Sequence, residues 1–410
     1  MSMEQDHCTL PPLGGVPEKM WAQVIRRERY GRPAGAFAME QVSVPQLAKD
    51  EVLVGVMAAG LNHNAVWAAR GYPIDLIGMM QVRDGSALDY HVIGSDCSGI
   101  VYAVGSNVEN VRVGDEVVVQ AGWVEEDDPW VMRGRPDTAL APSGRAWGFE
   151  TNHGSFAQFC KVKGRQCLPK PARLTWEEAA VYMLSGVTSY CMLYKYPPNT
   201  VKPGDVVLIW GGSGGLGAAA IQLVRMGGGI PVAVVSTSER AAYCQGLGAL
   251  TLNRADFSHW GAIDEGAVLP GSQDQWAKAI RPFEKALKEL TGGRMPAIVL
   301  EHPGQDTMPT SIRVCAGDGM VVTCAGTSGY LASMDLRFLW LRRKRFQGSH
   351  FGELHHCREY NELVANGTLA PLLTHTYAFE DVPLAVQHMA DNTHPPGNSA
   401  VRIGAAALGR

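Results

Sequence analysis

Apolar positions change their period partway along this chain. Over the first third they come in short β-branched runs, EVLVGVMA at 51–58, GIVYAV at 99–104 and EVVVQ at 116–120. Turn signals GSN at 105–107 and VGD at 113–115 stand between them. Short strands broken by glycine turns predict a β-rich, barrel-like domain. Residues 121–148 are polar, contain Pro and Asp, and read as a long loop. Thr175–Tyr194 has helical spacing and opens on Thr-Trp-Glu-Glu, close to a capping box.

From residue 206 the pattern becomes strand–helix alternation. Strand Val206–Trp210 runs into GGSGGLG and the helix AAAIQLVRM; strand 231–236 (PVAVVS) and helix 238–248 follow. AIVLEH at 297–302 and MVVTCAG at 320–326 are apolar enough for buried parallel strands. This alternation predicts a doubly wound parallel sheet with crossover helices. Residues 255–290 interrupt it as an insertion, and the last sixty residues return to mixed polar character. The expected fold class is α/β, a β-rich catalytic domain plus a Rossmann domain. The expected boundaries are 1–180 for the first part of the catalytic domain, 181–345 for the Rossmann domain with the insertion near 255–290, and 346–410 for the return to the catalytic domain.

Composition adds exclusions. The 410 residues carry 36 Lys+Arg against 40 Asp+Glu, a formal net charge of −4, which argues against a dedicated nucleic-acid binder. Of the nine cysteines no two lie within four residues of each other, so no CxxC metal or redox spacing exists. Scattered thiols suit a reducing cytoplasm. The start MSMEQDHCTLPPLGG lacks a basic and then an apolar stretch, so an export signal is not expected. The uncharged run Val206–Val224 holds five glycines and is better read as strand, turn and helix than as a membrane span.

Gly211, Gly214 and Gly217 are spaced G-x-x-G-x-x-G after a strand and at the opening of a helix. Bare backbone N–H groups at a helix N-terminus suit a dinucleotide pyrophosphate. The cofactor turn is therefore Gly211, Ser213, Gly214, Gly215, Leu216 and Gly217. The alternative is a glycine turn that only packs helix on sheet. An NAD site expects an acid at the end of the second strand. Here Ser236, Thr237 and Ser238 stand there with Arg240 beyond, and hydroxyls plus a guanidinium suit the 2′-phosphate of NADP(H). Ser236 and Ser238 can equally cap the next helix, and Glu239 is a competing acid past the strand end.

A β-rich domain followed by a late Rossmann unit resembles the medium-chain dehydrogenase/reductase superfamily, which implies a GroES-like first domain. Zinc-dependent members of that superfamily hold the metal with Cys, His and Glu. The comparable places here read Gly60-Leu61-Asn62-His63-Asn64 and Ile93-Gly94-Ser95-Asp96. No metal is expected. Zinc-free members use the same hydride geometry on polarised C=C bonds.

Several segments narrow the resemblance. They are Asn62 to Trp67 (NHNAVW), Val92 to Asp96 (VIGSD), Trp147 to Asn152 (WGFETN), Glu301 to Gly304 (EHPG), Cys324 to Tyr330 (CAGTSGY) and Lys344 to Phe351 (KRFQGSHF). Together, and in this order over nearly the whole chain, they resemble the crotonyl-CoA carboxylase/reductase (enoyl-CoA carboxylase/reductase) family. The insertion around Trp260–Gly293 fits as well. The resemblance implies hydride transfer from NADPH to C3 of a 2-enoyl-CoA and attack of the resulting enolate on CO2 at C2, without biotin or metal. It also implies a CO2 pocket of Asn64, Phe149, Glu150 and His350. Asn64 donates to a CO2 oxygen, Phe149 shields the enolate from water, and Glu150 with His350 organises a water. Chemically such a set stabilises charge growing on carboxylate oxygens in dry surroundings. Arg337 matches a nucleotide-end CoA contact, with Phe338 where the family often has Tyr. The basic run Arg342–Arg345 reads as a solvated face. A homotetramer built from dimers is implied, with no membrane partner.

Three departures from the family pattern stand out. The N-terminal part is short, residues 72–90 differ from the usual pattern, and His153, Ser155 and Phe156 replace more usual neighbours. Two other functions compete, a plain NADPH-dependent enoyl thioester reductase and a non-catalytic protein on the same fold.

Overall fold

The computed structural model describes residues 7–135, 140–258 and 272–408. The chain forms two compact units, Met1–Val187 together with Gly352–Arg410, and Thr188–Phe351.

The first unit is built on strand Glu51–Gly60, all ten of whose residues are buried. It pairs antiparallel with Cys97–Val104, Phe159–Lys163 and Asn398–Arg402. Glu116–Val119 and Cys167–Pro169 extend the sheet on one side, and Leu373–Ala378 extends it on the other. The final sixty residues thus supply two strands of this sheet, LTHTYA and NSAVR, too rich in polar residues to form an apolar run. A separate three-stranded sheet joins Phe37–Ser43, Lys19–Arg26 and Tyr90–Val92. Val54, Val101, Trp147, Phe156, Phe379 and Val401 meet in the core between sheet and helices.

Two expectations for this unit need correction. The loop at 121–148 contains a two-stranded pair, Gly122–Trp123 with Arg145–Ala146, and a short helix Pro129–Met132. The helix expected over Thr175–Tyr194 is two helices, Trp176–Ala179 and Met183–Tyr194. The capping box at Thr175 and Glu178 is present. The break follows from Asp96, a buried carboxylate that accepts from the Leu184 amide at 3.1 and 3.2 Å and so caps a second helix start.

The second unit is a six-stranded parallel sheet. Its strands are β1 (Val206–Trp210), β2 (Ile230–Val235), β3 (Leu250–Asn253), β4 (Ile298–Glu301), β5 (Met320–Thr323) and β6 (Arg345–Gly348). The spatial order is β3-β2-β1-β4-β5-β6, with every pairing parallel. That is the doubly wound dinucleotide-binding order, whose switch point lies between β1 and β4. Helices α1 (Gly215–Met226) and α2 (Ser238–Gly246) follow β1 and β2. Between β3 and β4 lie helices Ser272–Ala279 and Arg281–Leu290, the described part of the expected insertion. The second of these buries Phe283 and Leu287 against the sheet. Trp260 and its neighbours to 271 lie outside the described residues. β6, Arg-Phe-Gln-Gly, is mostly exposed and holds a single apolar side chain, so its sequence carried no strand signal.

Candidate active site

The glycine-rich turn forms where β1 ends. Gly211 has φ 59°, a left-handed conformation that suits glycine. Gly217 has no room for a side chain, because a Cβ there would lie 2.5 Å from the Gly211 carbonyl oxygen and 2.6 Å from Gly212 Cα. Gly214 is the N-cap of α1 and offers no side-chain cap, so the first-turn amides of a twelve-residue helix stay open to an anion. The turn therefore fits a pyrophosphate.

At the end of β2 the helix cap is Thr237, whose Oγ1 accepts from the Arg240 amide at 3.2 Å. Neither Ser236 nor Ser238 supplies that cap. Arg240 turns back over the glycine turn, and its Nη1 donates to Ser213 Oγ at 3.1 Å. Ser213 itself is buried. Burial lowers the Arg240 guanidinium, the neighbouring Glu239 carboxylate offsets part of that, and the nearby Arg254 guanidinium lowers it a little further. A half-buried cation close to a second cation favours an anion between or beside them, which fits the 2′-phosphate. Arg254 was not foreseen, since it follows β3, a strand the apolar pattern did not reveal.

In the first unit three distant sequence motifs interlock. Trp147 is fully buried; its amide donates to the Ala121 carbonyl at 2.7 Å and its indole Nε1 to the Lys161 carbonyl at 2.9 Å. Gly148 follows at φ 68°, and its carbonyl accepts from the Gly94 amide at 3.2 Å. This anchored turn presents Phe149 and Glu150. Phe149 meets the Trp67 ring edge-on at 6.3 Å. Trp67 lies three residues after Asn64 on helix Asn64–Arg70, so one helical turn carries both. Asn64 Nδ2 lies 3.4 Å from Ser95 Oγ. Asn64, Phe149 and Ser95 therefore share one region.

Glu150 is held by its own turn and by a residue the sequence reading missed. Its Oε2 accepts from the Ala146 amide at 2.8 Å. Arg83 Nη2 donates to the Glu150 carbonyl at 2.7 Å, and the same guanidinium is paired with Asp84. Arg83 lies on helix Leu76–Asp84, inside the stretch 72–90 that departs from the family pattern. Behind the turn, burial pushes His91 down to about 3 and His153 down to about 4, and His153 lowers His91 further. His63, in the place of a zinc ligand region, packs edge-on against Trp67 at 5.1 Å. Among the described residues no group of three or more His, Cys, Asp or Glu side chains could hold a metal ion.

His350 belongs to the second unit, where it is exposed just after Ser349, whose amide donates to the Thr323 carbonyl at 2.8 Å. Arg337 lies on the exposed helix Leu336–Trp340 and pairs with its N-cap Asp335 at 2.6 Å. Phe338 lies under the Arg313 guanidinium at 5.2 Å, so its ring has a packing role that needs no hydroxyl. The basic run is not a uniformly solvated face. Lys344 is buried, and its Nζ donates to the carbonyls of Ile312 and Arg313 at 2.6 and 3.1 Å, capping helix Met308–Val314.

This arrangement defines a medium-chain dehydrogenase/reductase. Residues 48–172 match the alcohol dehydrogenase GroES-like domain, and residues 215–366 match the zinc-binding dehydrogenase domain. The chain is 43% identical to the crotonyl-CoA carboxylase/reductase of Cereibacter sphaeroides over 98% of its own length and 91% of the relative's. It is 39% identical to the crotonyl-CoA reductase of Streptomyces collinus, with 92% and 83% covered. Among solved structures it is similar to crotonyl-CoA carboxylase/reductase AntE in complex with NADP, at 48% identity and TM-score 0.91, covering 96% of this chain and 97% of that one. It is also similar to the 2-octenoyl-CoA carboxylase reductase CinF in complex with NADP and 2-octenoyl-CoA, at 38% identity and TM-score 0.86, with 95% and 89% covered. The chain belongs to the crotonyl-CoA carboxylase/reductase family.

Proposed function

We propose that this chain is an NADPH-dependent enoyl-CoA carboxylase/reductase, which converts a 2-enoyl-CoA to an alkylmalonyl-CoA. The observation that carries the reading is the near full-length identity to a crotonyl-CoA carboxylase/reductase. The cofactor supplies hydride to C3. The C=C electron pair then resides on C2 and the thioester carbonyl. C2 bonds to the carbon of CO2, and one C–O π pair becomes the carboxylate.

In this reading Asn64, Phe149, Glu150 and His350 are the residues that direct C2 toward CO2. The Asn64 amide donates to a CO2 oxygen, and its approach to Ser95 limits how the amide can turn. Phe149, braced by Trp67, keeps water from C2. Glu150 and His350 hold a water against CO2. Gly211, Ser213, Gly214, Gly215, Leu216 and Gly217 bind the pyrophosphate, and Ser236, Ser238 and Arg240 face the 2′-phosphate. Arg337 contacts the nucleotide end of CoA, shared with or released from Asp335. No biotin and no metal takes part.

A homo-oligomer, dimer or homotetramer, is part of the proposal. Among the described residues edge strand β6 pairs only with β5, and Leu331, Leu336, Trp340, Leu341 and Phe346 expose apolar surface on the same unit. No helix among the described residues is long and apolar enough to cross a membrane. We place the enzyme in the cytoplasm, on the reducing conditions that scattered thiols suit.

The second reading, plain reduction with a proton in place of CO2, has support from the relative called a crotonyl-CoA reductase. NADPH consumption with C4 to C10 enoyl-CoAs, with and without bicarbonate, decides between the two by product mass. Alkylmalonyl-CoA in bicarbonate is expected. Saturated acyl-CoA alone would establish the second reading, and no turnover with any enoyl-CoA would favour a non-catalytic protein.

A further inference from the structure

The segment Glu301-His302-Pro303-Gly304 has no part in the chemistry above, yet it grips the end of β1 from two directions. Glu301 closes β4 and is fully buried. Its Oε1 accepts from the Gly304 amide at 2.9 Å and from Thr307 Oγ1 at 2.6 Å. Its Oε2 accepts from Ser311 Oγ at 2.5 Å. Ser311 Oγ in turn accepts from the indole Nε1 of Trp210 at 2.7 Å. Burial raises the Glu301 carboxyl to about 7. In its ionised form it takes the Ser311 hydroxyl hydrogen and leaves a serine lone pair aimed at the indole, so donation runs from Trp210 through Ser311 to Glu301.

Trp210 is the last residue of β1 and the neighbour of Gly211. Its ring stacks on Phe283 at 5.7 Å with an interplanar angle of 5°. His302 holds the other side of Trp210. His302 Nε2 lies 3.1 Å from the Trp210 carbonyl, an acceptor, so Nε2 carries the hydrogen. A Cβ on Gly211 would come within 2.5 Å of that same Nε2. Burial pushes the His302 imidazole down to about 4, which keeps it neutral and in this tautomer near neutral pH. The grip is itself braced. The His302 carbonyl accepts from the Thr327 amide at 3.1 Å and the Pro303 carbonyl from the Ser328 amide at 2.8 Å, so the loops after β4 and β5 are tied together.

We propose that Glu301, acting through Ser311, and His302 are positioning residues for the NADPH pyrophosphate turn. They fix the indole and the carbonyl of Trp210, and so set the direction in which Gly211 leaves the strand. A turn held in the binding conformation spares the ligand the ordering cost, so loss of the grip appears as weaker binding rather than slower chemistry. The inference rests on NADPH as the cofactor.

The test is NADPH affinity by isothermal titration calorimetry, with kcat at saturating NADPH alongside. Wild type, Glu301→Gln, Ser311→Ala and the double variant are compared. Glu301→Gln and Ser311→Ala should each raise Kd about tenfold, equivalent to about 1.4 kcal/mol, while kcat at saturating cofactor falls less than twofold. The double variant should be little worse than either single one, because both cut the same chain of bonds. Unchanged Kd in Ser311→Ala, or additive effects in the double variant, would overturn the proposal. Ser311→Ala keeps the test open if Glu301→Gln does not fold. A wild-type enzyme that fails to bind NADPH would instead sink the cofactor reading beneath it.

Discussion

Arg240 reaches from the first turn of α2 back to Ser213, placing Nη1 3.1 Å from the serine Oγ. The contact joins the two halves of the proposed cofactor site, the glycine turn after β1 and the hydroxyl-rich segment after β2. It also gives the guanidinium a fixed direction before ligand arrives. Arg240→Ala should weaken NADPH by about 1.5–3 kcal/mol, the range for a charge-assisted contact. NADH, with no 2′-phosphate, should change little. Calorimetric Kd values for the two cofactors check this, and equal losses for both would remove Arg240 from the phosphate site.

Phe149→Ala should let water reach C2 and raise the share of saturated acyl-CoA. Asn64, Glu150 and His350 variants should depress carboxylation more than NADPH oxidation. The measured quantity is the ratio of alkylmalonyl-CoA to acyl-CoA in saturating bicarbonate, where about 1.4 kcal/mol is tenfold. If all four variants keep the wild-type ratio, the pocket assignment fails while the enzyme class stands.

Arg83 fixes the Glu150 peptide, so Arg83→Met should shift the same product ratio toward simple reduction. Arg83→Lys, which keeps one donor and the charge, should recover part of it. An unchanged ratio in Arg83→Met, with Glu150 variants active in the same assay, would leave Arg83 a purely structural anchor.

Lys344 satisfies two carbonyls at the end of helix Met308–Val314. Lys344→Met should leave both without that donor and cost about 1–3 kcal/mol. Urea unfolding of the variant should show a lower midpoint at unchanged slope. No shift in midpoint would return Lys344 to the ordinary surface.

His153 has its imidazole pushed down to about 4 by burial. The unfolded chain takes up a proton near pH 6.5 that the folded chain refuses until about pH 4. That residue therefore contributes a loss of stability as pH falls through this window, with a limiting slope of about 1.4 kcal/mol per pH unit. His153→Phe removes it. The Tm difference, variant minus wild type, should rise as pH drops from 6.5 to about 4. A difference independent of pH would contradict the buried neutral state.

Some of this protein is written in local sequence, because local rules govern it. A strand, a left-handed Gly211 and a crowded Gly217 need particular residues at fixed spacing, so the cofactor turn and the parallel strands β1, β2, β4 and β5 were legible. Strands β3 and β6 were not, since their residues are partly exposed or charged and pairing alone makes them strands. Of the two C-terminal strands of the first unit, Leu373–Ala378 is mostly exposed or half-exposed, and Asn398–Arg402 is buried but opens on the polar pair Asn398-Ser399, so neither shows an apolar run. The set Asn64, Phe149, Glu150 and His350 came from likeness to a family, since no spacing along the chain relates residues so far apart. Only the tertiary structure sets Trp67 against Phe149, hangs the Glu150 peptide on Arg83, turns Arg240 onto Ser213 and ties Trp210 to Glu301. Each of these joins segments separated by tens of residues. Their energy comes from burial and hydrogen bonds that exist only once the chain has closed, so no local pattern can encode them.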